Sequence, residues 1–417
     1  MPLKIAIIGA GPAGCMLARL LLHTPSPNPP QVTIFESEPS LDFRSQGGTL
    51  DLHVKTGQAA LRAGGLFEEF EKYARYDGEA IKLCDKKLLC YVNFGGAKAG
   101  GSSTGTGRPE IDRPQLRKLL YESLPNGVVK WSHKLVRVDD DRTLFFANGS
   151  KESGFDLLIG GDGAWSRVRP LVTDDVPFFS GVAGHSFTVR DAETKYPELY
   201  RIVNRGSVFS AGDKKTIMAQ YMSDGSLSVA TWAEVTPTWQ KDCGYDVRSG
   251  PAVKAACRRD YADWDPRLLQ FTQIADDDSI VPRDLFMLPI GNKWTHVPGV
   301  TLIGDAAHLM TPFAGEGVNL ALEDSLKLSH AILSAADDKE ALDTNVREFE
   351  QDMFVRAGKT QQVTWTAMFG LFRNPGTPRK GIERYILNIA ADEAGKVGTW
   401  LLTPIVYLYF FIFKLIW

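Results

Sequence analysis

The stretch KIAIIGAGPAG, residues 4–14, decides how the rest of the chain is read. Ile5, Ile7 and Ile8 form a short apolar run of the kind that becomes a strand buried on both faces. Gly9, Gly11 and Gly14 follow in the order G-x-G-x-x-G, with Ala13 between them, and Leu17, Leu20, Leu21 and Leu22 recur at helical spacing. In such a strand–turn–helix the first glycine permits a tight turn and the second lets a pyrophosphate approach the backbone. The third lets helix and strand pack closely. The anion would lie at the helix N-terminus, where unpaired N–H groups and the dipole favour it. The alternative is an ordinary glycine-rich turn with no ligand. Context argues against it: a second strand, residues 32–35, ends in Glu36, an acid placed to accept hydrogen bonds from a ribose diol. Taken alone, Glu36 reads equally well as a solvated acid.

The 417 residues leave room for two or three packed units. A net charge of −3 gives no basic face for nucleic acid. The five cysteines are odd in number and scattered without metal or redox spacing, which predicts reduced thiols in an intracellular, cytoplasmic protein. No metal site is expected, and no catalytic nucleophile stands out. The apolar N-terminus is too short for a secretory signal.

Outward from the first motif, residues 43–53 (FRSQGGTLDLH) make a turn and a strand edge carrying Arg44 and Asp51, each of which reads locally as a surface charge. Residues 56–70 have the pattern of one amphipathic helix. Residues 95–107 are glycine- and serine-rich and read as mobile. In RPEIDRPQLR, residues 108–117, Asp112 is a candidate N-cap with Pro114 in the first turn, and Arg113 and Arg117, four apart, can point the same way. Residues 155–163 (FDLLIGGDG) repeat the strand-to-loop pattern and place Asp162 at its end. Residues 184–234 alternate apolar and polar, as an antiparallel sheet inserted into the first domain would. Residues 300–319 return to a buried strand and then Asp305, His308, Gly315, Gly317, Val318 and Asn319, opening a helix over 320–333. The expected domains are 1–75, 108–178 and 280–340 for dinucleotide binding, and 76–107 with 179–279 for substrate. C-terminal helices over 341–398 and an apolar tail over 399–417 complete the chain.

Three separated motifs agree: GAGPAG at 9–14, IGGDGAWSRVR at 159–169 and IGDAAHLMTPFAGEGVN at 303–319. Together they resemble the class A flavoprotein monooxygenases, the family of para-hydroxybenzoate hydroxylase. GGTLDLH at 47–53 and RPEIDRPQLR at 108–117 look most like the tetracycline-inactivating members. The resemblance implies an α/β fold: a Rossmann-like FAD-binding domain of the GR2 type, an inserted antiparallel β-sheet substrate domain, and C-terminal helices. It implies FAD as cofactor, with Gly9, Gly11, Ala13 and Gly14 at the pyrophosphate and Glu36 at the ribose. Arg44, Asp51 and Arg113 would lie near the flavin or nicotinamide, Asp162 and Asp305 on the cofactor, and Gly315, Gly317, Val318 and Asn319 at the pyrimidine edge. A helix N-terminus there would stabilise negative charge on the reduced ring. The implied reaction uses NAD(P)H and O₂ to hydroxylate a phenolic, enolic or polycyclic molecule, tetracycline among the candidates, through a C4a-hydroperoxyflavin. The cofactor carries the chemistry, so no catalytic side chain is assigned.

Phe187, Met222, Trp232 and Phe313 are substrate-pocket candidates, with Met218 and Tyr221 beside them; core packing is the alternative for each. His53 and His308 are expected to make structural hydrogen bonds. A flavin halogenase shares the dinucleotide fold, but W-x-W-x-I-P is absent from the sequence. A non-catalytic flavin protein that docks on a membrane is the other rival. The tail WLLTPIVYLYFFIFKLIW, residues 400–417, suits either a membrane contact or a helix packed on protein.

Overall fold

Long apolar runs bounded by glycine build the first layer. A computed structural model describes residues 1–43, 47–94, 107–374 and 376–416, the side chains of 388–397 excepted. It divides the chain into two compact units: residues 1–76, 105–180 and 285–365, and residues 77–104, 181–284 and 366–417.

The first unit is organised by a five-stranded parallel sheet in the order Val300–Leu302, Leu157–Gly160, Lys4–Ile8, Gln31–Phe35, Val129–Lys130. Ile7 lies opposite both Ile34 and Ile159. Ile5, Ile7, Ile34 and Ile159 are fully buried, as strands covered on both faces require. Because the strands are parallel, their C-terminal ends share one edge, and all three glycine-bearing motifs and Glu36 emerge there. The helices Pro12–His23 and Gly317–Ser334 follow from that edge. The single helix expected over 56–70 is two, Gly57–Ala63 and Phe67–Glu71. Gly64 and Gly65 break it, Gly65 taking φ +67°, which a helix cannot use.

The second unit holds a seven-stranded sheet in the order Val281–Met287, Phe178–Val189, Leu227–Glu234, Lys215–Tyr221, Ser207–Gly212, Ile81–Asp85, Cys90–Phe94. The alternation of 184–234 resolves into antiparallel hairpins. Ser207–Gly212 departs from the expectation by running parallel to Ile81–Asp85. Helices Gly250–Asp260 and Pro266–Gln273, unmarked by any motif, bury Val253, Cys257, Leu268 and Phe271 against one sheet face. Each fully buried side chain of that size contributes about 2–3 kcal/mol relative to exposure.

The expected separate tail is the C-terminal part of the helical segment Ile382–Ile416, which contains Pro404 and folds back so that Lys414 reaches Glu383. Phe410 is buried, and Val406 and Phe413 pack with it on Leu83, Tyr91 and Val92.

Candidate active site

At the shared strand edge the three glycines of the first motif divide by function. A Cβ on Gly9 would come within 2.4 Å of the Gly161 carbonyl oxygen, and one on Gly14 within 2.1 Å of the Gly9 carbonyl oxygen. These two are small because backbone meets backbone. Gly11 differs: a Cβ there meets nothing within 4 Å, and its φ of −77° suits any residue. Packing therefore does not require Gly11; room for a ligand would. No side chain caps the helix Pro12–His23, so its first-turn amides, Ala13 and Gly14 among them, remain for an anion.

Glu36 is buried, and its carboxylate accepts from Ala10 N at 2.7 Å, Glu38 N at 2.9 Å and Ser37 Oγ at 2.9 Å. It is thus fixed beside the glycine turn rather than solvated. Asp162 accepts from Arg167 N at 2.7 Å through Oδ2, while Oδ1 is buried without a partner. Burial raises its pKa. An orphaned acceptor beside Gly163, where a Cβ would again meet nothing, fits a hydroxyl donor of a bound cofactor.

Asp305 is exposed at the start of Asp305–His308. At the helix Gly317–Ser334, Asn319 is fully buried and clamps the 51–53 segment: its Nδ2 donates to Asp51 O at 2.9 Å and its Oδ1 accepts from His53 N at 2.8 Å. His53 Nε2 bonds Asp51 Oδ2 at 2.9 Å, and Glu316 Oε2 lies 3.5 Å from His53 Nδ1. A Cβ on Gly315 would meet Asp51 Oδ1 at 3.3 Å, while one on Gly317 meets nothing. Gly315, Gly317, Val318, Asn319 and Asp51 therefore form one group. This 18-residue helix begins in that group without a side-chain cap, so its positive end lies there.

Residues 142–352, half of the chain, match the FAD binding domain family. The chain is 30% identical to Monooxygenase penA of Penicillium thymicola, over 91% of this chain and 97% of that one. The chain belongs to the FAD-dependent monooxygenases. Klebsiella pneumoniae HpxO, solved with FAD and uric acid, superposes with a TM-score of 0.73 at 19% identity, over 97% of each chain. Tetracycline destructase Tet(55) superposes with a TM-score of 0.68 at 19% identity, over 93% of this chain and 95% of that one. Both share the fold of this monooxygenase. FAD is its cofactor, with NAD(P)H as co-substrate.

Two of the monooxygenase's buried ionic groups, Arg169 and Asp324, went unassigned in the sequence. Arg169, 4% exposed, donates from Nε to Ala306 O at 2.8 Å and from Nη2 to Ala164 O at 2.9 Å and Asp305 O at 3.1 Å. It ties the Asp162 loop to the Asp305 loop. Asp324, fully buried, accepts from Gly304 N at 3.1 Å and bonds His308 Nε2 at 2.6 Å. Arg356 Nη1 lies 3.2 Å from the other oxygen. The two arginines expected to point together do not. Arg117 is buried in an ion pair with Glu38 at 2.6 Å, whereas Arg113 is exposed at the helix start. Asp112 stands at the N-cap, but its carboxylate goes to Arg75 at 3.1 Å. Arg44 lies outside the described residues.

Opposite Asp51 in the strand pair Thr49–Asp51/Glu110–Asp112 is Glu110. Burial pushes its carboxyl up to about 8, overriding the pull of Arg75. A carboxyl raised in the folded state keeps its proton there. Its stabilising contribution is full below about 4.5 and is lost as pH rises to about 8. Glu110→Gln is therefore expected to gain at least about 1 kcal/mol over wild type at pH 8.5 and almost nothing at pH 4.5. Urea denaturation at the two pH values measures the difference.

In the second unit the register sorts the pocket candidates. Phe187 lies opposite Val229, on the face that the helices cover, and is fully buried among Leu268, Phe271 and their neighbours. It is a core residue, a correction to its reading as a pocket residue: strand alternation turns it toward the helices. Trp232, opposite Gly184 and itself buried, falls on the face away from the helices with the partly buried Ser228, Ala230, Met218 and Gln220. Met222 is buried at the end of a strand, where its N–H donates to Ser226 O. Phe313, partly exposed in Pro312–Ala314, belongs to the first unit and is not grouped with the other three. On the helix-covered face, a cavity of about 350 Å³ is lined by His185, Trp239, Tyr245 and Tyr261 among others. Burial pushes His185 down to about 4, so its imidazole is neutral near pH 7.

Proposed function

We propose that this monooxygenase uses NAD(P)H and O₂ to hydroxylate a planar phenolic or enolic molecule laid on the face of the second unit's sheet opposite the helices. The observation that carries the reading is the makeup of that face. Gly184, Ser186, Ser228 and Ala230 are small and would leave a flat floor, Trp232 and Met218 offer apolar walls, and Gln220 and Ser228 offer hydrogen bonds. Glu234 is paired with Lys214 at 2.7 Å, and Arg283 donates to Ser186 Oγ at 3.2 Å.

FAD supplies the redox chemistry and oxygen activation when bound. The protein's part is to hold it through the Gly11 cradle, Glu36 and Asp162, to favour negative charge with the Gly317–Ser334 N-terminus, and to keep water from the substrate. The test is aerobic NADPH oxidation by the FAD-loaded protein across neutral phenols, cyclic enols, benzoates and tetracycline. Several-fold stimulation by a phenol or enol supports the reading. Stimulation confined to benzoates overturns it.

A second reading concerns the C-terminal helix, where the 19 residues Gly398–Ile416 have a mean hydropathy of 1.7 and are 6% buried. One side packs on the protein through Phe410, and Lys414 pairs with Glu383 at 2.6 Å. The rest exposes Trp400, Leu401, Ile405, Leu408, Phe411 and Leu415. A helix covered by its own protein along one side and apolar along the other suits the plane of a membrane surface better than a crossing. Leu408→Glu with Phe411→Glu is expected to cut flotation with phosphatidylcholine vesicles at least tenfold, with NADPH oxidation unchanged. Wild-type protein that stays unbound at every vesicle concentration contradicts this reading.

A further inference from the structure

Cys84 and Cys90 are separated by a turn in sequence, but the hairpin Ile81–Asp85/Cys90–Phe94 makes them direct cross-strand partners. The pairing falls where the register shifts between Leu83 and Cys84, a bulge that no spacing rule reveals. Asp85 pins the turn, its Oδ1 accepting from Lys87 N at 2.8 Å and Leu89 N at 3.0 Å. Residues directly opposite in an antiparallel pair have Cα atoms about 4.5–5.5 Å apart, inside the range of about 4.4–6.8 Å that a disulfide spans. Cys90 Sγ donates to Val92 O at 2.9 Å, and the Cys84 thiol lies beside it.

Their environments differ. Cys84 is 2% exposed, whereas Cys90 is only partly buried. The adjacent Cys84 thiol and the nearby Lys82 draw Cys90 down to about 7, while the adjacent Cys90 thiol and burial push Cys84 up. An accessible thiol that ionises near neutrality, beside a buried thiol that stays protonated, is the arrangement of an attacking and a resolving cysteine. Cys15 and Cys257 lack it, each buried and pushed up to about 12.

We propose that Cys84 and Cys90 form a peroxide-reactive dithiol that closes reversibly to a disulfide. The Cys90 thiolate attacks one oxygen of hydrogen peroxide, the O–O bond breaks, and hydroxide leaves; sulfur is oxidised to sulfenic acid. The Cys84 sulfur then attacks the Cys90 sulfur, and the sulfenic oxygen leaves as water with the Cys84 proton. Peroxide takes up two electrons overall, and a dithiol reductant returns them.

The test treats fully reduced, FAD-loaded protein with one equivalent of hydrogen peroxide, then maps alkylated cysteines by mass spectrometry. The expected result is a loss of about 2 Da, with the 84 and 90 peptides linked and Cys15, Cys243 and Cys257 still alkylated, all reversed by dithiothreitol. In Cys84→Ser the linkage should vanish and dimedone should trap Cys90 as the sulfenic acid. Wild-type protein that keeps all five thiols alkylatable, or in which partly buried Cys243 oxidises as fast as Cys90, overturns the proposal whether or not the variant folds.

Discussion

Gly11→Ala is expected to leave the apoprotein folded and abolish tight FAD retention, whereas Gly14→Ala is expected to prevent folding. Each change adds one methyl group within the same G-x-G-x-x-G. On Gly14 that methyl would come within 2.1 Å of the Gly9 carbonyl oxygen, so strand and helix must separate at a cost of several kcal/mol. On Gly11 it meets no protein atom within 4 Å and the backbone is already extended, so stability should stay within about 0.5 kcal/mol of wild type. The same methyl would project where a pyrophosphate approaches the helix N-terminus, and FAD affinity should fall at least tenfold. Thermal unfolding of the apoproteins and flavin fluorescence titration separate the effects. If Gly11→Ala binds FAD as wild type does, the cofactor does not use this turn.

Arg169→Met should produce the second large effect. The guanidinium, 4% exposed, serves the carbonyl oxygen of Ala164 and, more than 130 residues further along the chain, those of Asp305 and Ala306. Removing it takes away their shared donor and leaves the carbonyl of the buried Ala306 without it, with an expected loss on the order of 3 kcal/mol. The Asp162 and Asp305 loops also lose their common tie, so FAD should dissociate at least tenfold faster. Arg169→Lys should recover only part of this, because an ammonium cannot reproduce the planar fork. Equal FAD dissociation rates in wild type and Arg169→Met would show that Arg169 acts on stability alone.

Much of the first unit was legible because its signals are local. Apolar runs at 4–8, 157–160 and 300–302 each precede a glycine, and parallel strands need only those runs to bring their ends together. Arg169, Asp324 and Arg356 were not legible, because their partners lie on other elements and no spacing rule links them. The arginines at 113 and 117 mislead for a related reason: helical spacing gives direction, but Glu38 on another segment decides which one is buried. In the second unit alternation identified the strands but not their faces. Phe187 and Trp232 are both large and apolar, yet the register puts one in the core and the other on the face away from the helices. Cys84 and Cys90 became neighbours only through a bulge.

The most direct test of the account is turnover under ¹⁸O₂. FAD-loaded enzyme, NADPH and the phenol or enol that most stimulates NADPH oxidation should yield a product carrying one ¹⁸O atom, with close to one NADPH consumed per product. NADPH consumed only to hydrogen peroxide across the whole panel, or bound flavin that NADPH and NADH both fail to bleach anaerobically, would contradict it.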